Sequence, residues 1–411
     1  MPETYQPFHL KYRPKKFDDL IGQEVISTTL KQAINSQKIA PAYLFCGPRG
    51  TGKTSSARIF AKSLNCLKED NPTSDPCGQC ELCQSITEGS ALDIIEIDAA
   101  SNTGVENIRD LIDGARFSPT LASWKVYVID ECHMLSTAAS NALLKTIEEP
   151  RNNVVFILAT TNPERVLNTI QSRCQKFDFR RITSEDIFQH LLRIAEKESI
   201  PFEEKGLKII AKRSNGGMRD AQSLLDQLSL VPGGINEKNV RLLLGEVSET
   251  QLIDLINALI NNNPELLIKS CDDLYNQGNE PSEILESLLN ITRDLLLKSI
   301  NTNYSDIFYT SEEFQPTLDQ ISKSINKSSV ISWHNNLKNI EYQIRNSSQP
   351  RLWLEIHLTS LLSIPTQEFE KRSNIQTNDF DKEKVVNPQI DNKSNIQTND
   401  FDKEKVVNPQ I

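Results

Sequence analysis

A glycine-rich segment at residues 47–54 carries the clearest chemistry in the chain. It reads GPRGTGKT and fits the pattern G-x-x-x-x-G-K-[ST], directly after an apolar run and before a helical one. In such a loop, backbone N–H groups approach phosphate oxygens, the lysine reaches the β- and γ-phosphates, and the last hydroxyl holds Mg²⁺. We therefore predict a nucleoside triphosphate site whose candidate residues are Gly47, Pro48, Arg49, Gly50, Thr51, Gly52, Lys53, Thr54 and Ser55.

A second segment, residues 126–131, supplies the acidic groups that this chemistry needs. It reads VYVIDE, so an apolar run delivers Asp130 and Glu131 at its end. Asp130 is predicted to share the Mg²⁺ ion with Thr54, and Glu131 to polarise the attacking water. An apolar run that ends in Asp-Glu is also common at ordinary strand ends, and only its pairing with the glycine-rich loop favours the catalytic interpretation.

Four of the eight cysteines lie within 18 residues, in the spacing C-x10-C-x2-C-x2-C. Two C-x2-C steps with a fourth thiol nearby are typical of a closed, tetrahedral zinc site. A redox pair would explain one C-x2-C step but not all four cysteines, and an iron–sulfur cluster is the alternative metal centre. We predict a structural zinc ion held by Cys66, Cys77, Cys80 and Cys83. The other cysteines are expected to be packing residues, and they are Cys46, Cys132, Cys174 and Cys271.

Other polar residues give weaker signals. Thr161 follows an apolar run at whose end a side chain can reach a γ-phosphate, Arg173 precedes another such run, and Arg219 falls in the first turn of a helix. On general grounds the two arginines are surface or salt-bridge residues. His133 beside the acidic pair is expected to be a packed or solvent-linked imidazole rather than a general base.

The elements that would position these residues alternate between residues 41 and 179. Short apolar runs rich in β-formers occupy residues 42–46, 93–98, 125–130, 153–160 and 176–179, with amphipathic helical stretches between them. Four of the five lack the polar–apolar alternation of a half-exposed strand, which predicts strands buried on both faces. The fold class is therefore α/β with a mainly parallel sheet.

Helical patterns dominate after residue 183, and the charge of the chain divides there as well. The net charge is −10, but residues 1–242 carry 30 basic and 30 acidic residues, while residues 243–411 carry 15 and 25. Residues 243–365 read as an all-helical domain, in which Ile284, Leu288, Ile291 and Leu295 form one apolar stripe. The acidity thus lies away from the predicted nucleotide site and does not argue against a nucleic-acid partner.

The end of the chain has a different composition. The 18-residue segment SNIQTNDFDKEKVVNPQI occurs twice, at residues 373–390 and 394–411, and we expect residues 366–411 to be a disordered tail. No run approaches the length of a membrane span, and the first residues lack the apolar stretch of a signal peptide. We therefore expect a cytoplasmic protein without membrane contact.

The order of these motifs resembles the AAA+ ATPases, and within them the gamma/tau subunits of the bacterial DNA polymerase III clamp loader, in a short, gamma-like form. The similarity runs from residue 12 to about residue 365. It rests on KYRPKKFDDLIGQE, GPRGTGKTSSARIFAKSLNC, the cysteine-rich insert, EIDAASNTGVENIRDL, VYVIDECHMLSTAASNALLKTIEEP, LATTNPERVLNTIQSRC and NGGMRDAQSLLDQL.

The resemblance implies roles that spacing alone does not give. Arg13, Pro14 and the Ile21-Gly22-Gln23 segment would line the adenine pocket. Thr161 would be sensor 1 and Arg219 sensor 2, both reading the γ-phosphate. Arg173 would enter the ATP site of a neighbouring subunit as an arginine finger.

The resemblance also implies an organisation and partners. Residues 1–179 would form the ATPase domain with its zinc insert at 66–83, residues 180–242 a helical lid, and residues 243–365 a helical collar that joins subunits. The subunit would bind ATP, Mg²⁺ and Zn²⁺. It would act with the delta and delta-prime subunits and further gamma/tau copies to load a sliding clamp onto primer–template DNA, with the polymerase core as a further contact.

The resemblance also bears on DNA binding. Asn102 and Gly104 stand where relatives can carry basic residues, which leaves Arg109 and Lys145 as candidates for phosphate contacts. A polymerising site is not expected. Two other functions are alternatives to a clamp loader motor. One is a stator-type clamp loader subunit that does not hydrolyse ATP, although stators carry a degraded P-loop and the P-loop here is intact; the other is an AAA+ motor for DNA branch migration.

Overall fold

The computed structural model describes residues 5–101, 104–149, 151–245, 247–300 and 308–362. Within these ranges the strands are β1 (Ala42–Cys46), β2 (Ile94–Asp98), β3 (Lys125–Asp130), β4 (Val154–Thr160) and β5 (Gln175–Asp178). The α-helices of the first 183 residues are α1 (Phe8–Lys11), α2 (Glu24–Asn35), α3 (Lys53–Asn65), α4 (Glu81–Glu88), α5 (Val105–Gly114), α6 (Thr137–Glu148) and α7 (Asn168–Gln171).

The remainder of the described chain is helical. Its α-helices are α8 (Ser184–Lys197), α9 (Glu204–Arg213), α10 (Met218–Ser229), α11 (Glu237–Leu243), α12 (Glu249–Ile260), α13 (Pro264–Asn276), α14 (Pro281–Ser299), α15 (Gln315–Ser324), α16 (Lys327–Asn346) and α17 (Pro350–Leu362). Short 3-10 helices lie at Phe17–Asp19, Cys132–Met134, Pro163–Arg165 and Glu312–Phe314.

The five strands form one sheet in the order β2-β3-β4-β1-β5, and every pairing is parallel. The predicted strands and the parallel α/β class are therefore confirmed. Burial on both faces holds for β1, β3 and β4, which lie inside the sheet, but not for the edge strands β2 and β5. An edge strand has a neighbour on one side only, so even the isoleucines of β2 stay partly exposed, and in β5 only Phe177 is buried.

Strand β2 begins at Ile94, one residue later than predicted, and the reason is the local role of Asp93. This residue lies before β2, and its buried carboxylate accepts hydrogen bonds from the backbone N–H groups of Thr120, Leu121 and Ala122 at 2.7–3.0 Å. Burial works to raise the pKa of Asp93, but these donors hold it below its usual value. The residue therefore fixes the loop before β3 instead of extending the strand.

Apolar side chains fill both faces of the sheet. On one face Tyr43 meets Phe60 of α3 with the ring centroids 4.9 Å apart, and on the other Tyr127 stacks on Phe156 at 5.1 Å. Helices α2 and α3 cover the first face, and α5 and α6 cover the second. Because parallel strands all end at the same edge, this arrangement brings the segments after β1, β3 and β4 together.

Helices α8 to α11 form a second apolar cluster, which also takes in Phe8 of α1. Thr183 caps the first of these helices, since its hydroxyl accepts the backbone N–H of Asp186 at 3.1 Å. The cluster joins the nucleotide-binding loop directly, because the backbone N–H of Met218 donates to the carbonyl of Gly50 at 3.0 Å. The start of α10 is thereby fixed against the predicted phosphate site.

Helices α12 to α17 share a third apolar cluster. Ser248 caps the first of them, since its hydroxyl accepts the backbone N–H of Gln251 at 3.4 Å. The predicted stripe of α14 is buried at Ile284, Leu288, Ile291 and Leu295. Among the helices that the structure describes, none combines the length and the apolar character that crossing a membrane requires. The predicted tail at 366–411 lies outside the described residues.

Candidate functional site

The glycine-rich loop leaves the sheet at the end of β1 and enters α3. Gly47 has φ +145°, and a Cβ there would lie 2.3 Å from the carbonyl oxygen of Phe179. Gly52 has φ +103° and precedes the first residue of α3. Only glycine allows both the close approach and the positive φ, so the motif glycines set the path of the loop.

Lys53 and Thr54 lie at the start of α3 and point toward the site. The Nζ of Lys53 donates to the carbonyls of Gly47 and Pro48 at 2.7 and 2.8 Å, and the residue is 5% exposed. Burial lowers the pKa of Lys53, while Glu131 and Asp130 act in the opposite direction. The Thr54 hydroxyl donates to Oδ2 of Asp130 at 2.8 Å. The two predicted Mg²⁺ ligands are therefore neighbours, although they are 76 residues apart.

Glu131 is held between the ends of β3 and β4. Its backbone has φ +47°, and its Oε2 accepts from the backbone N–H of Thr161 at 3.1 Å and from the Thr161 hydroxyl at 2.9 Å. His133 is packed, as predicted, with Nδ1 3.0 Å from the Thr160 hydroxyl and 3.3 Å from the same Glu131 oxygen. The strained, left-handed backbone of Glu131 is unusual for this residue type and turns its side chain toward β4.

A cavity of about 390 Å³ opens beside the loop. It is lined by thirteen of the predicted residues, which are Arg13, Pro14, Ile21, Arg49, Gly50, Thr51, Gly52, Lys53, Thr54, Ser55, Asp130, Glu131 and Arg219. Arg13 lies toward the start of α3, because its Nε donates to the Ser55 hydroxyl at 3.2 Å. Arg219 reaches the cavity from the first turn of α10.

Other predicted residues lie beside or away from this cavity. Gly47, Pro48 and Thr161 do not line it but contact residues that do: the two carbonyls accept from Lys53, and Thr161 donates to Glu131. Gly22 has φ +69° and does not line the cavity, but a Cβ there would contact the lining residue Ile182 at 3.4 Å. Arg173 lies outside the cavity and pairs with Glu148, with its side chain 36% exposed.

Sequence reasoning missed several side chains that complete the cavity. They are His9, Leu10, Tyr12, Asp19, Leu20, Asp98, Ile182, His190, Met218 and Gln222. Asp98 was accessible to sequence reasoning, because it ends the predicted strand β2 and pairs in register with Asp130. The residues of α1, α8 and α10 were not, because they reach the cavity only through helix packing.

A second site lies at the far end of α3. The sulfur atoms of Cys66, Cys77, Cys80 and Cys83 all lie within 4.8 Å of one another, so the four thiols can hold one metal ion. Backbone N–H groups donate to three of the sulfurs at 3.3–3.4 Å. Those of Gln79 and Cys80 lower the pKa of Cys77 to about 6, whereas burial raises the pKa of Cys83. This all-thiol donor set fits zinc in a closed tetrahedral site.

The four remaining cysteines lie outside this cluster. Cys46, Cys132 and Cys271 are buried, and Cys174 is half-buried. Burial raises the pKa of Cys46 to about 11 and that of Cys174 to about 12, so both stay protonated at neutral pH.

Three family models match successive parts of the chain. The model described as "DNA polymerase III, delta subunit" matches residues 22–183, and that of the "DNA polymerase III clamp loader subunit, ATPase lid domain" matches residues 186–230. The model of "DNA polymerase III subunits gamma and tau domain III" matches residues 235–372.

Relatives cover most of the chain. The DNA polymerase III subunit tau of Bacillus subtilis is 41% identical over 359 residues, which is 87% of this chain and 63% of the relative. The subunit gamma of Buchnera aphidicola from Acyrthosiphon pisum is 37% identical over 362 residues, covering 88% of this chain and 99% of the relative. A solved structure of the Thermotoga maritima RuvB branch migration motor covers 61% of this chain at 21% identity, with a TM-score of 0.43. That similarity is too low to bear on function.

The strand order, the P-loop after β1 and the acidic pair after β3 define an AAA+ ATPase. Within that class, the chain belongs to the DNA polymerase III gamma/tau family, since it matches nearly the whole length of a gamma subunit. It spans less than two thirds of some other relatives, at 63% of the Bacillus subtilis tau subunit and 41% of the Haemophilus influenzae tau/gamma subunit.

Proposed function

We propose that the chain is an ATP-binding and ATP-hydrolysing motor subunit of a clamp loader, which helps to load a sliding clamp onto primed DNA. The observation that carries this proposal is the meeting of Lys53, Thr54, Asp130, Glu131 and Thr161 at one edge of the sheet. A subunit that only held others in place would not need this complete set of hydrolytic groups.

The proposed roles follow from chemistry and position. Lys53 exchanges its two loop carbonyls for the β- and γ-phosphates, and the backbone N–H groups at the start of α3 face the same oxygens. Thr54 and Asp130 hold Mg²⁺, and Glu131 accepts a proton from the attacking water. Thr161 orients Glu131, and Arg219 carries the state of the γ-phosphate to the lid.

Arg173 is proposed to act on a neighbouring subunit. It lies outside the cavity of its own chain, and its ion pair with Glu148 is half-exposed. A partly exposed pair contributes only about 0–1 kcal/mol, so the arginine can leave it at little cost for a phosphate in another subunit. Hydrolysis would then depend on assembly.

For the four-cysteine cluster we propose a structural zinc ion. Four thiolates leave no open position for water or substrate, so the ion would fix the segment between α3 and α4 rather than catalyse. Zinc peptides gain about 10–16 kcal/mol of apparent binding energy, enough to order a short insert.

The organisation and the partners of the chain are part of the proposal. We assign residues 1–179 to the ATPase domain, 180–242 to the lid and 243–365 to a collar that contacts delta, delta-prime and further gamma/tau subunits. Arg109 on α5 and Lys145 on α6 are exposed on neighbouring helices and are proposed to contact DNA phosphates. The protein would act in the cytoplasm, with the polymerase core as a further partner.

The test is a clamp-loading assay in a reconstituted complex containing the wild-type chain or Glu131→Gln. Wild type should load labelled clamp onto primed DNA with ATP, and Glu131→Gln should bind ATP but lose turnover. Absence of saturable ATP binding by wild type would favour a stator. Strand displacement on a four-way junction, without clamp loading, would favour a branch-migration motor.

A further inference from the structure

Two polar side chains of the cavity have no part in the phosphate chemistry proposed above. His190 belongs to α8, and Gln222 lies one helical turn beyond Met218 on α10. The Nε2 atom of Gln222 lies 2.9 Å from the Nε2 atom of His190. Gln222 is only 4% exposed, although it faces an open cavity.

The direction of this hydrogen bond follows from the charge of the histidine. Burial, and after it the nearby Arg193, lowers the pKa of His190 to about 4, so the imidazole is neutral at neutral pH. An amide nitrogen only donates, and therefore the imidazole Nε2 accepts and its proton lies on Nδ1. Gln222 keeps one N–H and its carbonyl oxygen for another partner.

The surroundings of the pair suit a flat heterocycle. Ile21, Ile182 and Met218 line the same cavity, so a base bound beside them would lie against apolar side chains. The polar edge of a buried base loses about 1–3 kcal/mol for each group left without a partner. Among the lining side chains, Gln222 has polar atoms left for such an edge.

The free atoms of Gln222 match adenine. Adenine presents an amino donor beside a ring-nitrogen acceptor, and a glutamine amide pairs with that edge through one acceptor and one donor. Guanine presents a carbonyl oxygen in place of the amino group, which would face the Gln222 carbonyl oxygen. To accept guanine, the amide would have to turn over and give up its donation to His190.

We propose that Gln222 selects adenine by its amino edge and that His190 is the positioning residue that holds the amide in the selective orientation. This inference rests on the proposed function, because it assigns the base subsite of the same nucleotide cavity. It adds a source of specificity that the phosphate-binding loop cannot provide, since every nucleoside triphosphate carries the same phosphates.

The experiment measures equilibrium binding of ATP, GTP and purine riboside triphosphate, which lacks the amino group, to the full chain. Wild type should prefer ATP to both others. Gln222→Leu should weaken ATP binding by about 10- to 100-fold and change GTP binding by less than about threefold. Purine riboside triphosphate should fall between them, because it keeps the ring-nitrogen acceptor. Gln227→Leu, on the exposed side of the same helix, is the matched control and should behave as wild type.

His190→Ala tests the other residue of the pair, and it keeps the proposal testable if Gln222→Leu does not fold. It should lower the preference for ATP over GTP by about fivefold, mainly by improving GTP binding, because the amide can then turn over. A loss of core packing alone would weaken all three nucleotides together. Unchanged ATP/GTP ratios in both variants, with intact ATP binding, would overturn this inference alone. Failure of wild type to bind any of the nucleotides would overturn the proposed function as well.

Discussion

Thr161 makes two hydrogen bonds to one oxygen of Glu131. Its backbone N–H and its hydroxyl both donate to Oε2, at 3.1 and 2.9 Å. The two residues directly follow the adjacent strands β3 and β4, so the contact joins the proposed catalytic carboxylate to the segment that would sense the γ-phosphate. The direction of Glu131 is therefore set from a neighbouring strand and not by its own strand alone.

The first prediction removes one of these two bonds. Thr161→Val keeps the backbone donor and the side-chain shape but loses the hydroxyl, so Glu131 should be less well oriented. A hydrogen bond to a charged group contributes about 1.5–3 kcal/mol, which predicts a fall in kcat of about 10- to 100-fold. The affinity for ATP should change by less than about threefold, since phosphate contacts remain.

Steady-state phosphate release and equilibrium ATP binding separate these effects. Thr28→Val, at an exposed position of α2, is the matched control and should turn over as wild type. Equal loss of binding and turnover in Thr161→Val would contradict an orienting role for the hydroxyl.

The second prediction concerns Lys53, which is almost fully buried against its own loop. Lys53→Ala should weaken ATP binding by more than about tenfold, because a charge-assisted contact to the phosphates is lost. Lys38→Ala, which removes an exposed lysine, should leave the affinity unchanged. Titration with a fluorescent ATP analogue measures the affinity of both variants. Equal affinities would show that Lys53 does not contact the phosphates.

The sequence was sufficient for those parts of the site that depend on local signals. The turn at Gly47 and the four-cysteine spacing belong to short segments, and the strand that ends in Asp130 was evident from its apolar run. His190 and Gln222 could not be found in this way, because α8 and α10 reach the cavity only by packing. The left-handed backbone of Glu131 was equally hidden, since no residue type in the motif requires it.

The third prediction tests the proposed action of Arg173 in a neighbouring site. In an assembled complex, Arg173→Ala should lower ATP hydrolysis by about 10³-fold or more, the usual contribution of an arginine supplied in trans. ATP binding by the isolated chain should not change, because Arg173 lies outside its own cavity. Arg165→Ala, at an exposed position between β4 and α7, is the control. Normal hydrolysis by the Arg173→Ala complex would rule out the finger.

The fourth prediction separates the cysteine cluster from the nucleotide cavity. Helix α3 has 13 residues between Lys53 and Asn65 and so spans about 20 Å, which places the two sites at opposite ends of one helix. Zinc removal should therefore abolish hydrogen-exchange protection in residues 66–88 but change ATP affinity by less than about threefold.

The purified chain should contain about one zinc ion, and Cys83→Ser should lose it, because three thiolates no longer close the site. Cys271→Ser, a buried cysteine of α13, should keep the metal. Recovery of iron with visible absorbance, or full metal content in Cys83→Ser, would contradict the zinc assignment.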